Sequence, residues 1–286
     1  MMSSRLRHAG DLDGERIPRF LYGTAWKEDQ TQRLTRLALE QGFCDIDTAN
    51  QRKHYHEAAV GQAIQSMIAE GLVCREDLFL QTKFTFQSGQ DHRLPYDPHS
   101  PISLQVEQSF ASSLEHLGTE TIDSYVLHGP TRRIGLTSED WAAWRAMEAI
   151  HDSGRVQMLG VSNVTVEQLK SLCQAARIRP RFVQNRCYAV QGWDRDVREF
   201  CRGHGLIYQG FSLLTANREV LERPEIGRIA KQHGRTVSQI VFRFAIDVGM
   251  LPLTGTTSAL HMQSDLEVFG FQLAPEEIRQ IECLAE

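Results

Sequence analysis

The sequence predicts an α/β fold of the (β/α)8, or TIM-barrel, class, and three observations carry that expectation. Short apolar runs alternate with longer amphipathic ones eight times along the 286 residues, the pattern of strands covered on both faces and of helices buried on one. Eight such units in this length match the usual size of a closed barrel, and a 41% hydrophobic composition supplies material for one core. No GxGxxG follows any strand candidate: Gly203, Gly205 and Gly210 fall around the seventh strand with the wrong spacing, which counts against an open doubly wound sheet.

In order, the strand candidates are residues 19–23, 43–47, 78–83, 122–128, 156–161, 182–184, 206–211 and 250–255, each a β-like run bounded by polar or glycine breaks. Helical patterns fill the intervals at 31–41, 57–70, 102–117, 139–153, 166–176, 194–204, 225–248 (two helices parted at Gly234) and 258–269. Ser138 before Glu139, with Trp141 and Trp144 turned inward, and Thr165 before Val166 read as N-caps. Residues 1–15 are polar and glycine-containing, a loose tail or small hairpin, and residues 16–286 read as a single domain.

Composition excludes several function classes. The net charge is −5 and the isoelectric point about 6.1, with basic residues scattered, so neither nucleic acid nor a membrane is an expected partner and a small molecule is. Six cysteines (44, 74, 173, 187, 201, 283) form no CxxC pair, and no signal peptide or apolar run of membrane-spanning length is present. A cytoplasmic, reducing location follows as the expectation. A metal hydrolase built on His54-x-His56 is disfavoured, because barrel metal enzymes set such a pair at a strand end and these histidines lie well beyond Asp47.

The informative residues are polar groups at the C-terminal strand ends, where barrel active sites are built. The stretch 43–57, FCDIDTANQRKHYHE, reads as a buried strand emptying into a functional loop with Asp47 at its rim. Lys83 ends the third strand, His128 the fourth, Ser162 and Asn163 the fifth, and Gln184 the sixth. Each alone has a plain explanation: Asp47-Thr48 can shape a turn, a strand-end lysine can be solvated, a histidine can be structural and Ser-Asn can cap a helix. Together they put an acid, a cation, a titratable ring and amide groups on one rim.

The segments DIDTAN…YHEAAVGQAI, LFLQTKF, IDSYVLHGP, GRVQMLGVSNV, PRFVQN and LPLTGTTSALHMQSDL resemble, in order, the motifs of the aldo-keto reductase superfamily, from Gly23 to about Leu266. The resemblance implies a barrel that binds NADPH, with NADH possible, and reduces an aldehyde or ketone; a nucleotide-binding sensor on the same barrel is the alternative. It makes Asp47, Tyr55, Lys83 and His128 the catalytic set, with Tyr55 giving a proton to the carbonyl oxygen, Asp47 and Lys83 tuning it and His128 orienting the substrate. It places Gly23, Thr24, Ser162, Asn163, Gln184, Phe211 and Ser212 along the cofactor, with Phe211 against the nicotinamide, and Gly255, Thr256, Thr257, Ser258, His261 and Asp265 at the adenosine phosphates. On this reading the Lys83 ammonium lowers the pKa of Tyr55, and its nitrogen lies in hydrogen-bond or ion-pair reach of both Asp47 and the phenol.

Two spacings depart from the family pattern. Asp47 to Glu57 is ten residues rather than eight, which leaves Tyr55 two before the glutamate and His54 in the usual tyrosine place. The segment 255–265 lacks the lysine and arginine that many members use for the 2′-phosphate, so the preference for NADPH over NADH is expected to be smaller; hydroxyls and a helix N-terminus still suit a phosphate. The long loops 85–101 and 129–138 are expected to overhang the pocket, with Trp26, His92, Arg93, Tyr96 and Tyr188 as lining candidates.

Overall fold

The structure, a computed structural model, describes residues 11–12 and 15–284. Eight parallel strands close on themselves: β1 (Leu21–Gly23), β2 (Asp45–Asp47), β3 (Phe79–Phe84), β4 (Ile122–Leu127), β5 (Val156–Ser162), β6 (Phe182–Arg186), β7 (Ile207–Phe211) and β8 (Met250–Thr254). β8 pairs back onto β1 through Leu253 with Leu21, which completes the barrel that the alternation predicts. The longer helices between and after them are α1 (Thr31–Gln41), α2 (Glu57–Ala69), α3 (Ile102–Leu117), α4 (Ser138–Asp152), α5 (Val166–Ala175), α6 (Arg195–His204), α7 (Pro224–His233), α8 (Val237–Asp247), α9 (Ala259–Leu266) and α10 (Pro275–Glu282), with a single helical turn at Arg218–Leu221.

Strand alternation sorts the side chains into two cores. Tyr22, Ile46, Leu80, Tyr125, Leu159 and Val183 point outward and join the helices in one large apolar layer. Leu21, Phe79, Met158, Phe182 and Leu251 point inward and, with Ile17, form an apolar floor inside the barrel. There the Phe79 and Phe182 rings meet edge to face with centroids 5.6 Å apart.

The ends of α7 and α8 follow their sequence signals: Gly234 adopts the left-handed conformation that stops α7, and Thr236 caps α8. Thr165 caps α5 as expected. The cap of α4 is Thr137, not Ser138: Thr137 accepts from the Asp140 N–H and Asp140 accepts from the Thr137 N–H. Three residues after Ser138 stands Trp141, which has no carboxylate to return that bond. The periodic run 258–269 breaks into α9 and a 3₁₀ turn, Glu267–Gly270. The sequence reading omitted α10, although Pro275 at its first turn and Glu277, which accepts from the Ala274 N–H at 2.8 Å, signal a helix start.

Helices α2 and α3 approach so closely that a Cβ at Gly61 would lie 1.9 Å from the His116 carbonyl oxygen. Gly61→Ala is expected to force them apart and destabilise the fold by about 1–3 kcal/mol. Urea unfolding would read this as a lower midpoint at unchanged slope.

The tail or hairpin expected at residues 1–15 lies largely outside the described residues; where described, Asp11–Leu12 pairs antiparallel with Glu15–Arg16. Among the described residues no helix is long and apolar enough to cross a membrane.

Candidate active site

Above the apolar floor the barrel interior turns polar. Residues two apart on a strand share a face, so Gln81 and Lys83 both point inward from β3, opposite Gln209 on β7 and Gln184 on β6. A single oxygen of Asp47, Oδ1, accepts from Lys83 Nζ at 2.7 Å, Gln81 Nε2 at 2.7 Å and Gln184 Nε2 at 3.1 Å. Gln209 ties the ring together, accepting from Gln81 and Gln184 and donating back to Gln81. Lys83 Nζ also donates to the Thr48 carbonyl at 2.8 Å. Such a buried pair is tolerated because further hydrogen bonds satisfy its remaining donors and acceptors.

The loop after β2 absorbs its extra length in a tight turn. The Gln51 carbonyl accepts from the N–H groups of both His54 and Tyr55, and Gln51 Nε2 donates to the Gly89 carbonyl at 2.7 Å. The turn sends His54 away from Lys83 and onto Trp26, ring centroids 4.0 Å apart. Tyr55 takes the inner place, with Lys83 Nζ 5.3 Å from its ring centroid and the His128 ring edge-on at 6.0 Å. Two residues later, at the start of α2, buried Glu57 accepts from the Thr82 hydroxyl and meets His116 Nδ1 at 3.0 Å, which anchors the end of the loop to β3 and α3. His128 Nδ1 pairs with Thr85 Oγ1 at 2.7 Å, leaving Nε2 as the free ring nitrogen. Asp47, Tyr55, Lys83 and His128 therefore converge at the mouth. His54 and His56 do not converge with a third ligand: among the described residues no three groups are placed to hold a metal.

The electrostatics correct one expectation. Burial pushes the Tyr55 phenol above its ordinary range, and the Asp47 carboxylate adds to that rise. Lys83 does not bond to the phenol; its donors go to Asp47 and Thr48, and burial pulls its pKa down against the opposing pull of Asp47. Burial, then the Lys83 charge and His54, bring His128 down to about 3. Tyr55 thus holds its proton at neutral pH, while His128 is a neutral imidazole.

A cavity of about 1530 Å³ opens over these residues and runs to the loop after β8. Gly23, Trp26, Asp47, Tyr55, His128, Ser162, Asn163, Gln184, Tyr188, Phe211, Ser212, Gly255, Thr256, Thr257, His261 and Asp265 all line it. Six residues singled out in the sequence do not. Lys83 lies beneath the wall, fully buried. Thr24 is buried with its hydroxyl on the Asp47 carbonyl at 3.0 Å, and Ser258 is spent capping α9. Tyr96 is buried against Phe84 with its hydroxyl on the Thr85 carbonyl, and His92 is exposed on the loop's outer side. Arg93 likewise points away and pairs with Asp91. The loop after β3 is thus pinned down by Tyr96 rather than laid over the mouth.

Within the cavity, Ser162 Oγ donates to the Gln184 carbonyl at 2.6 Å and Asn163 Nδ2 to the His128 carbonyl at 2.8 Å. At the far end Thr254 donates to Asp265 Oδ2 at 2.9 Å, and burial raises the Asp265 carboxyl to about 7.

Sequence reading missed Gln81, Gln209 and Lys27. The first two were legible from the period of two that places Gln81 beside Lys83 and Gln209 beside Phe211. Lys27 was not, because its burial depends on a loop in which Trp26 and Glu28 both take left-handed backbone angles. It lies 5% exposed on the cavity wall, donates to the Gly255 carbonyl at 2.9 Å and sits 5.1 Å from the Tyr22 ring centroid.

Comparison with known proteins agrees with this arrangement. A prostaglandin-E(2) 9-reductase of Oryctolagus cuniculus is 30% identical over 99% of this chain and 93% of its own length. The crystal structure of an aldo/keto reductase from Brucella melitensis superposes with a TM-score of 0.78 at 26% identity, covering 98% of each chain. An aldo-keto reductase crystallised with NADPH shares the fold at a TM-score of 0.81 and 23% identity, over 98% of this chain and 86% of that one. The model of the Aldo/keto reductase family matches residues 20–286. Since that span takes in every strand of the barrel and all four residues gathered at its mouth, the chain belongs to the aldo/keto reductase family.

Proposed function

We propose that this protein reduces the carbonyl of an aldehyde or ketone with NADPH as hydride donor, Tyr55 supplying the proton. The observation that carries this reading is the meeting of Tyr55, His128 and the Lys83–Asp47 pair at a cavity of about 1530 Å³, room enough for a dinucleotide. NADPH, when bound, supplies the hydride. The chain's own residues orient the carbonyl and neutralise the charge that grows on its oxygen. Tyr55 gives its proton to that oxygen, and the free Nε2 side of neutral His128 offers it a hydrogen bond.

The residues fit the cofactor. Lys27 is a buried cation on the cavity wall with no carboxylate partner among the described residues, and an unpaired buried charge is costly unless a ligand neutralises it. A diphosphate beside Gly255 does so. Ser162, Asn163 and Gln184 would hold the carboxamide and Phe211 the nicotinamide face, while Thr256, Thr257 and His261 would face the adenosine phosphate. With no arginine there, the preference for NADPH over NADH is modest. Residues 16–286 act as one domain in this reading, and exposed Cys74 and Cys283 suit a reducing, cytoplasmic setting.

Titrating protein fluorescence with NADPH and NADH, then following NADPH consumption with small aldehydes, aromatic aldehydes and ketones, tests the proposal. Tight binding without turnover of any carbonyl would replace it by nucleotide sensing, and no binding would remove both.

Lys27 adds a pH dependence. Burial lowers its pKa to about 8, so its charged fraction falls as pH rises through that value. Phosphate binds the charged form, so NADPH affinity is expected to be highest below about pH 8 and to weaken above it. Lys27→Met should cost about tenfold in affinity at pH 7, the worth of one charge-assisted hydrogen bond, and should flatten the pH profile.

A further inference from the structure

We propose that the loop from β4 to α4 is a recognition site for an anionic group on the substrate, carried by Arg132 and Arg133, so that the preferred substrate is an aldehyde or ketone bearing a carboxylate across a short apolar spacer. The inference rests on the reductase reading above. Both arginines line the same cavity as Tyr55 and His128. They lie four and five positions beyond His128 on one loop, with Gly129, Pro130 and Thr131 between.

Barrel geometry separates them from the cofactor's phosphates. In the closed order β8-β1-β2-β3-β4, strand β4 is four steps from β8 and so stands across the mouth from it. Lys27 and Gly255 serve the β8 side; a ligand phosphate held there is on the opposite rim from Arg132 and Arg133. The cavity thus carries cations on opposite sides of the barrel mouth, and Arg132 and Arg133 are on the side away from the phosphates.

The loop that carries the arginines is fixed from three directions. Asp140, 2% exposed on α4, accepts from the Thr131 N–H at 2.8 Å and the Thr131 hydroxyl at 3.1 Å. Gln168, 1% exposed on α5, donates to the carbonyls of Arg132 and Gly135 at 2.9 and 2.8 Å. Asn163 holds the His128 carbonyl at the loop's start.

The charges are nonetheless free. The Asp140 oxygens are taken up by Thr131 and Thr137, and Glu167, on the same wall, makes no ion pair with either arginine. Among the described residues neither guanidinium has a hydrogen-bond or carboxylate partner. The other charged groups of the wall lie elsewhere: Arg186, which sits over the Tyr188 and Phe211 rings, with Asp194 and Asp196 toward β6, and Lys27 and Asp265 toward β8. Apolar surface on the same cavity completes the mouth: Trp26, 69% exposed, lines it. Two unpaired guanidinia on a rigid frame match a carboxylate, and the apolar surface matches a spacer.

The test compares 4-carboxybenzaldehyde with its methyl ester, which has the same ring and carbonyl without the charge. Wild type is expected to favour the acid by about tenfold in kcat/KM, through KM, as one or two charge-assisted hydrogen bonds at a wet rim would give. Added NaCl should erode that preference and leave the ester unchanged. The variant R132A/R133A should lose the preference while keeping its kcat for the ester, and R132K/R133K should restore part of it. Equal kcat/KM for acid and ester in wild type, or a preference that survives in R132A/R133A, overturns the inference and leaves the reductase reading intact. Turnover of neither aldehyde, nor of any other carbonyl, overturns the reductase reading and this inference with it.

Discussion

Tyr55→Phe is expected to lower kcat for aldehyde reduction by about 10²-fold or more, the range for loss of a general acid, with NADPH affinity nearly unchanged. The phenylalanine ring keeps the packing against Lys83 and His128, at 5.3 and 6.0 Å from the tyrosine ring centroid, and removes only the hydroxyl. No neighbour is placed to replace it. His128 is neutral far above its pKa of about 3 and has no extra proton to give at pH 7. His54 packs against Trp26 with the two rings tilted by 36°, and its own pKa is lowered by burial. The wild-type rate should also show no fall from Tyr55 ionisation at the ordinary tyrosine pKa, because burial and Asp47 hold the proton on above it. Steady-state kinetics with one aldehyde, alongside nucleotide titration of both proteins, reads the effect. A variant that keeps most of its activity would take the proton away from Tyr55.

What the sequence made legible is what depends on period and strand position. The eight strands, the helix break at Gly234 and the convergence of Asp47, Lys83 and His128 all follow from runs of apolar residues and from which residue ends each run. Tyr55 was reachable only by setting aside the family spacing, and the reason is local: the turn held by the Gln51 carbonyl consumes the extra residues before Tyr55 and not after it. Hydrogen-bond geometry of that kind leaves no periodic trace.

Lining of the cavity was the least legible layer. Tyr96 and His92 were expected there because their loop is long, yet loop length says nothing of direction, and the Tyr96 hydroxyl bond to Thr85 turns the loop inward at that point. Lys27 lies in a stretch of charged residues that reads as solvated, and only the left-handed angles at Trp26 and Glu28 carry it into the wall.

The second large effect is expected at the buried pair beneath Tyr55, and it should appear in stability as well as in rate. Lys83→Met leaves the Asp47 carboxylate buried with only the Gln81 and Gln184 amides as donors. Removing one partner of a buried ion pair costs about 3–5 kcal/mol, most of it the uncompensated charge that remains. Activity should fall by about 10²-fold or more, because the negative charge developing on the substrate oxygen would then face Asp47 with no cation between. The double variant Asp47→Asn/Lys83→Met separates the two effects. An asparagine carboxamide oxygen can still accept from Gln81 and Gln184, and no buried charge is left, so much of the lost stability should return while turnover stays low. Urea unfolding of wild type, Lys83→Met and the double variant, each paired with aldehyde turnover, measures both quantities. A Lys83→Met protein as stable as wild type would show that Lys83 does not compensate the Asp47 charge, and a double variant that regained activity would show that stability, not the ammonium, is what Tyr55 requires.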